Sequence, residues 1–352
     1  MISEGLIQFL PFLPEIVIAF IAMFTLIFGL YGTFSKATWW IAGLFIFITL
    51  FLVLKNYEFF VTNGVVLGGL ANDNISIWLK AIMMFFTILL LVFYGGMSRD
   101  KVWKHGQHEF VVIITLCLVG AMIVVSARNF LFLYVALELI SLGSYVLAGY
   151  ERDSAVSSEA GVKYFILGSL SSCFMIFGMS YIYGFSGSLS FNSVSSLISA
   201  NLYSAGLVAG LSIFIIGLLF KLSIVPFHFW TPDVYQGSPF ISVAFFTSVP
   251  KISTVVALIN IINLVMKDAI NYFDKIFIIL GIISIIVGGL GAIKQKSIKR
   301  LMGYSTILNM GFVMIALANG TSQGFSSAII YQVLYSFAAI GIFAILTITI
   351  VP

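Results

Sequence analysis

Charge is what this sequence has least of. Of its 352 residues 9% are Asp, Glu, Lys or Arg while 61% are hydrophobic, and the mean hydropathy is +1.14. Soluble domains carry roughly 25% charged residues, so a water-facing surface cannot be built from this chain. Cysteine is nearly absent: Cys117 and Cys173 stand in separate apolar runs. That excludes a cysteine-held zinc or iron–sulfur centre, and no Cys-x-x-Cys-His is present to attach haem. The first apolar run has no basic flank and no cleavage site, so it reads as a retained helix and not a removable leader. The net charge of +4 comes without the clustered basic patch that nucleic acid requires.

What is there is length. Apolar runs of about 20 residues recur along the chain, each long enough to cross a hydrocarbon core of about 30 Å. They are apolar on all sides, so they are helices and not the alternating strands of a barrel. The expected helices run over about 12–32, 38–54, 75–96, 109–127, 130–149, 158–184, 204–236, 240–266, 276–293, 300–318 and 325–350. This predicts an all-α polytopic membrane protein of about eleven transmembrane helices. The seventh run is too long for one span and contains Pro226 and Pro232, which predicts a broken helix. The eighth has Pro250 near its middle. The Ser- and Gly-rich stretch 185–203 carries no charge and is expected along an interface.

Loop charges suggest an orientation. Lys36, Arg99, Lys101, Lys104, Arg152, Lys294, Lys296, Lys299 and Arg300 fall at one face; Lys55, Lys80, Arg128, Lys267 and Lys275 fall at the other. The first set is the larger, so it marks the cytoplasm or matrix, with the N-terminus outside. Lys outnumbers Arg and Phe is abundant, as in AT-rich genomes of organelles and some bacteria.

A few charges lie inside the apolar runs. Glu138 is about nine residues into the fifth helix, near the bilayer centre at ~1.5 Å per residue. Lys163 lies in the sixth helix and Lys221 just before the break of the seventh. Lys251 follows Pro250, and His228 and Asp233 occupy the second half of the broken helix. Intramembrane ionisable groups are costly. Glu138 can offset one lysine by pairing, and Lys221 is the expected partner. Coupled buried groups titrate as a set, and irregular backbone at membrane depth marks a buried or wet site, as at transporter ion sites. Together these residues read as a proton path. Each also has a plain structural reading: a buried Glu138–Lys221 clamp, a snorkelling Lys163, a packing His228, a bracing Asp233. His105 and His108 are three apart without a third ligand, and Gly64 and Gly68 fall in a loop.

Several stretches resemble one family. Leu137-Glu-Leu-Ile-Ser-Leu142, Tyr145-Val-Leu-Ala-Gly-Tyr150 and Glu159-Ala-Gly-Val-Lys-Tyr-Phe-Ile-Leu-Gly168 are similar to the fifth and sixth helices of the antiporter-like subunits of respiratory complex I. The strongest likeness is Lys221-Leu-Ser-Ile-Val-Pro-Phe-His-Phe-Trp-Thr-Pro-Asp-Val-Tyr-Gln-Gly-Ser-Pro239, followed by Val249-Pro-Lys251. Its Thr-Pro-Asp-Val-Tyr wording resembles subunit N, chain 2 in mitochondria; the sister subunits have Leu-Pro-Asp-Ala. The resemblance implies an antiporter-like inverted-repeat fold with broken helices. N-terminal helices would occupy 1–108, a first repeat 109–266, and an incomplete second repeat 267–352.

It also implies roles for these residues. Glu138 would be the switch carboxylate, Lys221 its partner, Lys163 a tuner of the pair and Lys251 the central relay, with His228 on the path. The implied activity is proton translocation within NADH:quinone oxidoreductase, with no cofactor in this chain; NADH, FMN, iron–sulfur clusters and quinone would sit elsewhere in the complex. Implied partners are other complex I membrane subunits, lipids, and a separate chain supplying a further broken helix with its own lysine. That chain would keep Lys251 from facing lipid. The implied location is the mitochondrial inner membrane, with a bacterial inner membrane as the alternative. Two other functions fit the composition: a subunit of a multisubunit cation/proton antiporter, and a scaffold that transports nothing.

Overall fold

Eleven stretches among the described residues are helical, and long and apolar enough to cross a membrane. The computed structural model describes residues 9–31, 37–61, 69–95, 107–200, 202 and 204–350. The readings at Lys36, Gly64, Gly68, Arg99, Lys101, Lys104 and His105 lie outside them.

In chain order the helices are α1 (Leu13–Leu30), α2 (Thr38–Lys55), α3 (Asn74–Gly95), α4 (Gln107–Ser126) and α5 (Phe130–Ala148). Next come α6 (Ala155–Ser186), α7 (Phe191–Ser199), α8 (Ala205–Leu222) and α9 (Trp230–Gly237). The last are α10 (Phe240–Thr247), α11 (Val249–Asn260), α12 (Asp274–Ile293), α13 (Ile298–Ala318) and α14 (Ser322–Ile350). No strand forms among the described residues; the only bridges are Leu70 to Ala127 and Asn129 to Ser190.

Local chemistry sets several helix starts. Asn129, Ser154 and Ser204 each accept a hydrogen bond from a backbone N–H in the first turn that follows, at α5, α6 and α8, satisfying donors that a helix start leaves free. Glycine permits a close crossing of α6 and α8. A Cβ at Gly178 would lie 2.6 Å from Phe214 N and one at Gly210 2.9 Å from Ile182 N, so α6 and α8 touch backbone to backbone, as small residues permit in membranes.

The span formed by α10 and α11 is central, with 89% of its most apolar window buried, whereas α12 is peripheral at 22%. Both α8–α9 and α10–α11 are broken spans. The first break was expected. In the second, the sequence marks Pro250, but the helix stops at Thr247 and restarts at Val249, with Ser248 at φ −109° and ψ −96° between them. Stretch 185–203 contains a helix, α7, whose Phe191, Val194 and Ile198 are buried.

Two readings of the loop charges are corrected. Lys80 lies inside α3 with 4% of its side chain exposed, and Arg128 keeps 10% exposed. Each is held by a carboxylate from a distant part of the chain, Glu15 and Asp73 respectively, so neither stays in solvent. Removing them from the tally leaves its lean in the same direction.

Candidate functional site

The break after α8 is a Schellman turn. Ser223 adopts the left-handed conformation, φ +63°. Its N–H bonds Phe220 O at 2.9 Å and the N–H of Ile224 bonds Leu219 O at 3.0 Å, the paired bonds that close a helix C-terminus. The carbonyl of Lys221 is left outside this pairing. Lys251 Nζ, arriving from the first turn of α11, donates to it at 3.0 Å and to Ser223 Oγ at 2.7 Å. Thr231 Oγ1 of α9 donates to the same Ser223 hydroxyl at 2.7 Å. Lys251 is 2% exposed, and its ammonium lies 5.5 Å from the centre of the Trp230 ring. Trp230 is fixed by its indole N–H on Phe220 O at 3.0 Å and by Tyr164 stacked on it at 4.4 Å.

The side chain of Lys221 points the other way, toward α5. It donates to Ser141 Oγ and forms an ion pair with Glu138 at 3.6 Å. Ser172 of α6 donates to the same carboxylate oxygen at 2.5 Å. Glu138 keeps 20% of its side chain exposed and Lys221 11%. An unbroken series of contacts therefore runs from Glu138 to Lys221, through the Lys221 main chain to Lys251, and on to Ser223 and Thr231. Glu138 and Lys221, paired in the sequence reading, are in contact, and Lys251 is brought to them.

Lys163 is not in that series. The expectation that it tunes the Glu138–Lys221 pair does not match its contacts: it pairs with Glu159 at 2.7 Å and Asp233 at 3.1 Å and is 43% exposed. The residue of α6 that meets Glu138 is Ser172, nine positions further on, or ~13 Å along the helix. Asp233 also pairs with Arg300 of α13 at 2.8 Å, so it ties α9 to two neighbouring helices. His228 lies in the linker, buried, with its ring 4.5 Å from that of Phe229. Its Nδ1 has no hydrogen-bond partner among the described residues, and it too stands outside the series.

Of the hydroxyls that complete the site, sequence reasoning passed over Ser141, Ser172 and Thr231. Ser141 is three residues after Glu138 and shares its helix face, a signal that was available. Ser172 and Thr231 come from other helices and carry no such signal. Nor were Gln332 and Ser336 of α14 foreseen. Their side chains donate to Thr247 O at 3.4 and 3.2 Å, satisfying the carbonyl freed by the second break. This also corrects the expectation that Lys251 would face lipid without a further chain: α14 and the broken helices cover the site from within.

The chain is similar to known proteins over most of its length. The family model described as NADH:quinone oxidoreductase/Mrp antiporter, TM, matches residues 127–351. NADH-quinone oxidoreductase subunit N of Rickettsia bellii is 41% identical over 350 residues, covering 95% of this chain and 73% of that protein. The chain belongs to the subunit N family of NADH-quinone oxidoreductases. Subunit N 1 of Rhizobium meliloti is 37% identical, covering 98% of this chain and 71% of its own length. A chain of respiratory complex I from Thermus thermophilus superposes with a TM-score of 0.78 at 27% identity, over 95% of this chain and 70% of that one. A chain of the archaeal membrane-bound sulfane sulfur reductase superposes at 0.82 with 22% identity, over 98% and 72%; that likeness concerns the fold. The subunit N family is thus a multi-pass membrane family with an antiporter-like fold, and every break and buried lysine of the site lies inside the matched region.

Proposed function

We propose that this chain is a proton-translocating membrane subunit of an NADH:quinone oxidoreductase, moving protons through Glu138, Lys221 and Lys251 while redox chemistry proceeds in other subunits. The observation that carries this reading is the Lys251 ammonium seated on the carbonyl of Lys221, whose own ammonium faces Glu138. Two lysines so linked cannot respond independently. If Glu138 is drawn away, Lys221 becomes an unpaired buried charge, which is costly, and its proton is the charge that can leave. Ser223 and Thr231 supply hydroxyls that can accept and donate as it passes.

His228, with an unpartnered ring nitrogen at the break, is assigned to the far end of the path. Lys163 acts indirectly, by fixing α9 through Asp233. The chain holds no redox cofactor in this reading; NADH, FMN, iron–sulfur clusters and quinone belong to the rest of the assembly. We place the chain beside other membrane subunits of the complex, with lipid or further helices covering the apolar outer faces of α12 and α14, where Ile286, Leu290 and Leu334 are exposed. A separate chain carrying another broken helix is one such cover. The relatives from Rickettsia and Rhizobium favour a bacterial inner membrane over the mitochondrial one, and the loop charges favour an N-terminus on the periplasmic side.

Purification of the native assembly tests this reading. Recovery of the chain with flavin and iron–sulfur proteins, in a complex that acidifies the opposite compartment on NADH addition, is the expected result. Recovery in an assembly without redox proteins that exchanges cations for protons would overturn it in favour of the antiporter. An assembly that moves no protons leaves the scaffold reading.

A further inference from the structure

Lys221 and Glu138 face each other across 3.6 Å, which is beyond hydrogen-bond distance, so this geometry offers no direct passage for a proton between them. Each is tied to a serine instead. Lys221 Nζ donates to Ser141 Oγ, and Ser172 Oγ donates to Glu138 Oε1 at 2.5 Å. Ser141 passes its own hydrogen to Leu137 O at 2.7 Å, and Ser172 has a second acceptor in Gly168 O at 3.2 Å. A hydroxyl can accept and donate at once and can turn its hydrogen from one acceptor to another.

Tyr145 closes the gap between the two serines. It lies one turn after Ser141 and on the same face of α5 as Glu138. It is buried, with its ring edge-on to Tyr164 of α6 at 4.8 Å. Its hydroxyl rests against Gly168, one turn before Ser172, where a Cβ would leave it no room. Glycine there lets a phenol from α5 reach α6, and the hydroxyl lies close to those of both Ser141 and Ser172. A buried tyrosine hydroxyl needs one partner. This one meets two, and each of them holds one member of the ion pair.

We propose that Ser172, Tyr145 and Ser141 carry the proton from Glu138 to Lys221, with Tyr145 as the link between the two serines. The step reloads Lys221 after it has given up its proton. It begins with Glu138 as the carboxylic acid and Lys221 as the neutral amine. The Glu138 proton goes to Ser172 Oγ, the Ser172 proton to the Tyr145 oxygen, the Tyr145 proton to Ser141 Oγ, and the Ser141 proton to Lys221 Nζ. Each hydroxyl gains one proton and gives one up, so all three are intact at the end. The products are the Glu138 carboxylate and the Lys221 ammonium. Glu138 is the more exposed end of the series, so it is the end a proton reaches first. This inference rests on the proton-translocating reading above.

NADH-driven proton transport by the native complex in sealed vesicles, normalised to assembled complex, tests it. Tyr145→Phe keeps the ring and its contact with Tyr164 and removes only the hydroxyl. It should lose most of its proton transport, and so should Ser141→Ala; native transport in either variant overturns the proposal. The double variant Tyr145→Phe, Ser141→Ala distinguishes a relay from bracing. A series is already broken by one change, so the double variant should transport no less than the worse single variant. Losses that multiply mean two independent structural defects and overturn the proposal. Glu138→Gln, measured alongside, separates the two readings. Loss there with native transport in Tyr145→Phe defeats this inference alone, whereas native transport in Glu138→Gln defeats the Glu138 path and this inference with it.

Discussion

Lys251 Nζ donates a 3.0 Å hydrogen bond to the main-chain carbonyl of Lys221. That carbonyl is free because Ser223 ends α8 in a Schellman turn, so the break in one helix becomes the seat for the charge of another. Had α8 continued, the Lys221 carbonyl would have accepted from the backbone four residues on and Lys251 would have lost one of its oxygen partners.

Replacement of Lys251 by Met should therefore cost more function than replacement of Lys163 by Met. Lys251 is buried on the path, whereas Lys163 is half exposed and grips Glu159 and Asp233 at the edge of the bundle. NADH-driven proton transport normalised to assembled complex checks this; equal effects, or the reverse order, would contradict it.

Ser223 separates backbone geometry from hydroxyl chemistry. At φ +63° glycine fits as well as serine or better, so Ser223→Gly should assemble with thermal stability close to native. It nevertheless removes the oxygen that Lys251 and Thr231 share, and coupled proton transport should fall. Ser223→Ala should lose transport as well, since it too has no hydroxyl, and should be less stable than Ser223→Gly, since alanine tolerates this conformation poorly. Native transport in Ser223→Gly would mean that the hydroxyl is dispensable.

Gly178→Val should block assembly. Its Cβ alone would come within 2.6 Å of Phe214 N and 2.8 Å of Gly210 O, and backbone cannot move aside as a side chain can. Overpacking of this kind costs about 1–3 kcal/mol or more, and the displaced α6 carries Ser172 away from Glu138. The yield of the chain in the membrane complex reads this out; native yield would show that the α6–α8 crossing is looser than described.

Much of the fold could be read ahead of the structure because each membrane span is declared by its own residues. All eleven runs were placed within a few positions, and Glu138, Lys221 and Lys251 stood out because a charge inside an apolar run needs no neighbour to be noticed. What the sequence hid depends on distant partners. Lys80 is near the start of α3, where a lysine could snorkel to solvent; it is buried because Glu15, 65 positions earlier (80 − 15), waits beside it. The break at Ser248 falls short of Pro250, with the freed Thr247 carbonyl taken up by Gln332 and Ser336 from α14. Lys163 was assigned to the relay on resemblance, but its position along α6 sets it against Asp233.

The central claim is that Glu138 works by changing its charge and not by bracing α5 against α8. Glu138→Gln keeps the volume of the side chain and can still bond Ser172, but it cannot carry the charge that holds Lys221. The decisive measurement is the proton-to-electron ratio of the assembled Glu138→Gln complex in sealed vesicles, with NADH as donor. The account predicts native assembly with a strongly reduced ratio or turnover; native assembly with native pumping would contradict it.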